Sequence, residues 1–205
     1  FKATIKAITK LEPNIKETYH VRRSIENFAS RLPHFSLDYT MWDREIKNKD
    51  YKVLVRIFEP IYEYTESVLL FFHGGGWVTG NIDTYTRACA NMATLTKNII
   101  ISVDYRLAPE YKFPTGLEDC YAVAKEVFSS GFTEPEKITL IGDSAGGNIA
   151  AALSLMAKDR KEFSPRKQIL IYPSTYNDHN LNSPFPSIKE NGMDYMPTSK
   201  RIEDY

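Results

Sequence analysis

Gly142-Asp143-Ser144-Ala145-Gly146-Gly147-Asn148 decides how this chain is read, because it joins a reactive hydroxyl to a backbone that only glycines permit. Just before it, Lys137-Ile138-Thr139-Leu140-Ile141 is a β-branched run of the kind that forms a buried strand. Just after it, Asn148 to Lys161 is rich in Ala, Leu and Met, which favour helix. The stretch therefore turns a strand into a helix, the context a G-x-S-x-G nucleophile elbow needs. The turn is so sharp that Gly142 and Gly146 must lack side chains if strand and helix are to approach. Ser144 is lifted out at the tip. Ala145 opens the helix with an N–H that has no intrahelical acceptor, at the helix end that favours developing negative charge.

A G-x-S-x-G match alone would also suit a plain glycine-rich turn. A second, independent feature lies upstream. The apolar run Val68-Leu69-Leu70-Phe71-Phe72 leads into His73-Gly74-Gly75-Gly76-Trp77, three glycines at the exit of another buried strand. Backbone N–H groups can be presented there with no side chain in the way, as an oxyanion hole requires. Acyl transfer builds charge on a carbonyl oxygen, and losing one donor of such a hole costs on the order of 3 kcal/mol of transition-state stabilisation. A glycine hinge would not account for a strand end, three glycines and a serine elbow in this order.

Three stretches, His73-Gly74-Gly75-Gly76-Trp77, Asp104-Tyr105-Arg106-Leu107-Ala108-Pro109-Glu110 and Gly142 to Asn148, resemble the signatures of the hormone-sensitive-lipase-like esterases of the α/β-hydrolase superfamily. The resemblance runs from about Asp50 onward. It implies Ser144 as nucleophile and an oxyanion hole at Gly74, Gly75, Gly76 and Ala145, in which the N–H groups of Gly75, Gly76 and Ala145 donate and Gly74 shapes the loop. It also implies a catalytic Asp or Glu and a catalytic His further along, and an α/β-hydrolase fold in which helices cover both faces of a mostly parallel sheet.

With 205 residues, 42% of them hydrophobic, the chain suits one domain with a substantial core. Lysine plus arginine and aspartate plus glutamate both number 26, so no net positive field exists to hold nucleic acid. The expected partner is a small uncharged ester. No metal or other cofactor is expected, and no apolar stretch reaches the roughly 18 residues of a membrane span. Cys89 and Cys120 lie in helical patterns, as reduced thiols of a cytoplasmic protein would. The first residue is Phe1, so a removed leader is compatible with the sequence.

Along the chain, Val21, Ile25, Phe28 and Leu32 fall at helical spacing within Asn14 to Leu32, an amphipathic helix that either packs on the body or serves as a lid. Residues 1–34 are expected to hold this cap helix, 35–173 the sheet core and 174–205 the start of a second lid segment. Phe35 to Glu45 and Tyr51 to Phe58 read as an antiparallel pair of strands, and Val68 to Phe72 as the third strand. Helices over Tyr85 to Lys97 and Thr115 to Ser130 flank the uninterrupted strand Asn98 to Val103, whose pattern is that of a sheet covered on both sides. Gln168-Ile169-Leu170-Ile171-Tyr172 is the sixth strand. Asp104 and Arg106 read as locally paired structural charges rather than catalytic ones.

The catalytic order Ser, then acid, then His is not completed by these residues. His179 is the only histidine after Ser144 and lies in a polar loop, where a solvated residue is expected rather than a displaced base. Three accounts stay open: a fragment whose last strands and triad partners lie elsewhere in the polypeptide or in a partner chain, a truncated inactive relative that binds a small ligand or protein, or recruitment of His179. The first is favoured, because without further strands the sixth would be an exposed apolar edge.

Overall fold

The computed structural model of the chain describes residues 14–30, 38–62, 65–180, 182–193 and 198–204. His34, Asp194, the expected helix end at Leu32 and the expected strand start at Phe35 lie outside the described residues. Strands β1 (Tyr39–Asn48) and β2 (Tyr51–Pro60) form an antiparallel hairpin across the two-residue turn Lys49-Asp50. β2 then pairs antiparallel with β4 (Ile99–Asp104), while β3 (Val68–Phe72), β5 (Ile138–Asp143) and β6 (Lys167–Ile171) continue the sheet in parallel. The strand order is β1-β2-β4-β3-β5-β6.

Alternation within each continuous apolar run supplies two cores. Val68, Leu70 and Phe72 of β3, with Ile99, Ile101 and Val103 of β4, pack under α3 (Thr115–Ser129) and α4 (Ala145–Arg160). Leu69, Phe71 and Ile100 point the other way, onto Cys89, Ala90 and Ala93 of α2 (Ile82–Thr96). Helices on both faces explain why β3 and the body of β4 carry no polar alternation. The buried cysteines, Cys89 and Cys120, are both free.

This topology places the site. From β3 the chain crosses by α2 to β4 on one side, then by α3 to β5 on the other, so the strand order reverses around β3. Ligands of open α/β sheets bind in the crevice outside the carboxyl ends of strands at such a reversal. Phe72 at the end of β3 stands in register with Gly142 near the end of β5, which brings the glycine loop and the serine elbow side by side.

The remaining elements are less buried. α1 (Ile15–Ser30) has the expected helical apolar spacing, yet only Ile15 is buried, and Val21, Ile25 and Phe28 are 59%, 64% and 76% exposed. Of the two roles open to this helix, packing on the body through the stripe is not seen among the described residues; polar side chains attach the helix instead. β6 is an edge strand with Ile169 exposed, and beyond it only the short helices α5 (Pro186–Asn191) and α6 (Ser199–Glu203) are formed among the described residues. No helix among them is long and apolar enough to cross a membrane.

Candidate active site

Ser144 sits between β5 and α4 at φ 51° and ψ −116°, a conformation that costs a non-glycine residue on the order of 1–3 kcal/mol and persists only where surroundings impose it. Here they do. The Ser144 N–H donates to Ile171 O at 2.9 Å, and the Ser144 carbonyl accepts from the N–H groups of Asn148 and Ser174 at 3.1 and 3.2 Å. Asn148 Nδ2 also donates to Ser174 O, tying α4 to the chain beyond β6. A Cβ on Gly146 would lie 1.9 Å from Phe72 O, and one on Gly142 would lie 2.3 Å from Gly146 O. The two glycines of the elbow are thus demanded by close backbone approach.

Across the crevice, Gly75 and Gly76 take φ of 116° and 62°, and the Gly75 carbonyl accepts from Thr79 N–H at 2.9 Å. Among the described residues no protein acceptor reaches the N–H groups of Gly75, Gly76 or Ala145. Gly74, expected to shape the loop rather than to donate, spends its N–H within the protein. Its N–H donates to Asp143 Oδ1 at 2.9 Å and lies 3.2 Å from the Tyr85 hydroxyl, which itself donates to Asp143 Oδ2 at 2.9 Å. Gly74 therefore shapes the loop and has no donor left for a ligand. Burial and the neighbouring Asp143 carboxylate keep the Tyr85 hydroxyl protonated far above the usual phenol range. Asp143 appears in the sequence only as the variable residue of the elbow, and its second role is visible only here.

His73 is buried beneath this loop, with Nδ1 2.7 Å from Gly74 O and its ring stacked on Tyr105 at 4.3 Å. The carbonyl partner assigns the ring proton to Nδ1. Burial lowers its pKa to about 4, so it is a neutral structural ring. The Tyr105 hydroxyl in turn donates to His73 O at 2.7 Å.

Ser144, Gly75, Gly76 and Ala145 line one side of a cavity of about 710 Å³, whose other walls include Trp77, Tyr172, Tyr176 and Phe185. Tyr176 and Phe185 meet edge to face at 5.0 Å. His179 also lines the cavity, but its Nε2 lies 2.9 Å from Tyr176 O. Among the described residues no imidazole or carboxylate hydrogen-bonds the Ser144 hydroxyl, and no group of three His, Cys, Asp or Glu side chains could hold a metal ion.

A family model described as the alpha/beta hydrolase fold matches residues 69–205. The chain belongs to the α/β-hydrolase esterase family. It is 35% identical over 182 residues to an arylesterase of Saccharolobus solfataricus, which covers 87% of this chain and 57% of that protein. To the ethyl acetate hydrolase of Pseudomonas putida it is 31% identical over 157 residues, covering 73% and 48%. The chain thus spans about half the length of these relatives. Among solved structures, an esterase of Pyrobaculum calidifontis aligns with a TM-score of 0.79 at 28% identity, covering 98% of this chain and 67% of that one.

The second stretch that resembles this family, Asp104 to Glu110, is structural, as the sequence suggested. Asp104 Oδ1 accepts from Ile82 N–H at the start of α2, and burial raises its carboxyl pKa. Arg106 donates from Nε and Nη2 to the two oxygens of buried Asp119 at 2.8 and 2.7 Å, and stacks over Tyr51 at 4.1 Å. Asp119 also accepts from Arg106 N–H and Asn48 Nδ2. Sequence reading does not single out Asp119; an acid inside an otherwise apolar helical face is the signal that could have found it.

Proposed function

We propose that this chain carries the nucleophile of a carboxylic ester hydrolase that works through a serine acyl-enzyme on short acyl or acetyl esters of small, uncharged alcohols. One observation carries the reading: a strained, solvent-reachable serine and three N–H groups without protein acceptors face the same cavity. Ser144 Oγ attacks the ester carbonyl and its proton passes to a general base. The charge forming on the carbonyl oxygen is held by the N–H groups of Gly75, Gly76 and Ala145. Collapse breaks the ester C–O bond, the alcohol leaves with the proton, and water then releases the acid by the same steps in reverse order.

The base is a histidine paired with an acid. Family order puts both after the nucleophile and on later strands, and we assign them to polypeptide outside residues 1–205 rather than to His179, whose Nε2 is engaged by Tyr176 O. The names of the arylesterase and ethyl acetate hydrolase relatives support small esters as substrates, as does the aromatic lining of the cavity.

The deciding experiment is labelling of the full-length protein with a fluorophosphonate. Label on Ser144, lost in Ser144→Ala, is expected; a folded protein that takes no label would sink the proposal. Turnover across an acyl series should fall beyond short chains, and rates that climb steadily with chain length would overturn the substrate class.

A further inference from the structure

Helix α1 stands beside the cavity with Val21, Ile25 and Phe28 exposed, so its apolar stripe is not what holds it there. The answer lies mainly in one side chain. Arg23 Nε donates to Val78 O at 2.7 Å, and its Nη2 donates to Ala108 O at 2.8 Å. Its Nη1 and Nη2 also form a two-oxygen pair with Glu110 at 2.8 and 3.1 Å. A single guanidinium therefore joins three segments: α1, the loop that presents Gly75 and Gly76, and the loop that follows β4. Those two loops touch each other directly through Ala108 N–H donating to Trp77 O at 2.9 Å. Val78 in turn donates its N–H to Gly75 O at 3.2 Å, so the carbonyl that Arg23 holds is part of the turn that sets the Gly75 conformation.

We propose that Arg23 is a positioning residue for acyl transfer: by clamping Val78 O and Ala108 O it holds the Gly75 and Gly76 N–H groups at Ser144, making the oxyanion loop depend on α1. This rests on the reading of Ser144 as an acylated nucleophile. Guanidinium geometry suits the task, since a planar fork with five donors can serve these four acceptor oxygens at once and an ammonium group cannot span them. The neighbouring link, Asn81 Nδ2 to Asn27 Oδ1 at 2.7 Å, ties α1 to the start of α2 and does not touch the loop carbonyls. Arg23 reaches both loops.

The test compares wild type, Arg23→Lys and Arg23→Met in the full-length protein, by two readouts. Amide hydrogen exchange comes first, because it is independent of chemistry. In Arg23→Met, exchange at Val78, Thr79 and Ala108 should quicken roughly tenfold or more, with β3 and α2 unchanged and Arg23→Lys intermediate. Acceleration confined to residues 15–30 would overturn the proposal, since Arg23 would then anchor only its own helix. The second readout is inactivation by a small and by a bulky phosphonate ester. A misplaced oxyanion loop slows both by the same factor, between about tenfold and a hundredfold. A change seen only with the bulky reagent would mean a cap that limits access, and would overturn positioning. If wild type is not labelled at all, the Ser144 reading fails, and the exchange result still decides whether Arg23 orders the loop.

Discussion

Around Ser144 the backbone is held by exclusion: Gly142 and Gly146 stand where any side-chain carbon would strike a carbonyl, and β3 and β5 are buried on both faces. On the opposite side of the same cavity, α1 and the chain from Tyr172 onward expose Ile25, Phe28, Tyr172 and Phe185, and are held by Arg23, Asn148 and other polar side chains. The first region has one conformation open to it, because packed atoms leave no alternative. The second relies on bonds that water can replace, each worth about 1 kcal/mol net. Cavity walls held in this second way can vary while the elbow stays put.

The sharpest way to break the comparison is Gly146→Ala. Its methyl group would overlap Phe72 O, and a loss of about 5 kcal/mol in urea unfolding is expected, the exceptional end for one substitution. A loss under 1 kcal/mol would mean that the elbow yields and that exclusion is not what holds it. Asp119→Ala should follow at about 3 kcal/mol, because it removes the buried carboxylate that both half-buried Arg106 and Asn48 bond.

A pH titration probes the same interior. The pKa of His73 in the folded chain is about 4, below its ordinary 6.5, so the unfolded chain binds the extra proton first. Stability is therefore complete above pH 6.5 and falls by about 3 kcal/mol as the pH drops to 4. His73→Asn, whose amide can still donate to Gly74 O, should flatten that part of the profile relative to wild type. An unchanged slope would remove His73 as its source.

The smallest effect is expected in the outer region. Phe28→Ser should change stability by no more than about 0.5 kcal/mol, because the ring is exposed. A cost of 2 kcal/mol or more would show this face to be covered and would narrow the contrast between the two regions.

What could be read from the sequence alone was whatever depends on near neighbours along the chain. The apolar runs of β3, β4 and β5 announce a covered parallel sheet, because side chains alternate between faces with period two whatever lies beyond. The spacing of Gly142, Ser144 and Gly146 announces the elbow, because the motif is written within five residues, although the carbonyl that excludes a side chain at Gly146 is that of Phe72 on β3. The α1 stripe is equally legible as a helix, but helical periodicity does not say what the stripe meets, and here it meets solvent among the described residues. Only the folded chain decides that Gly74 spends its N–H on Asp143, that Asp119 is the hub for Arg106 and Asn48, and that Arg23 spans two loops. Each of these bonds joins residues distant in sequence, and which of them become neighbours is set by the reversal of strand order around β3, a property of the whole sheet that no local pattern encodes.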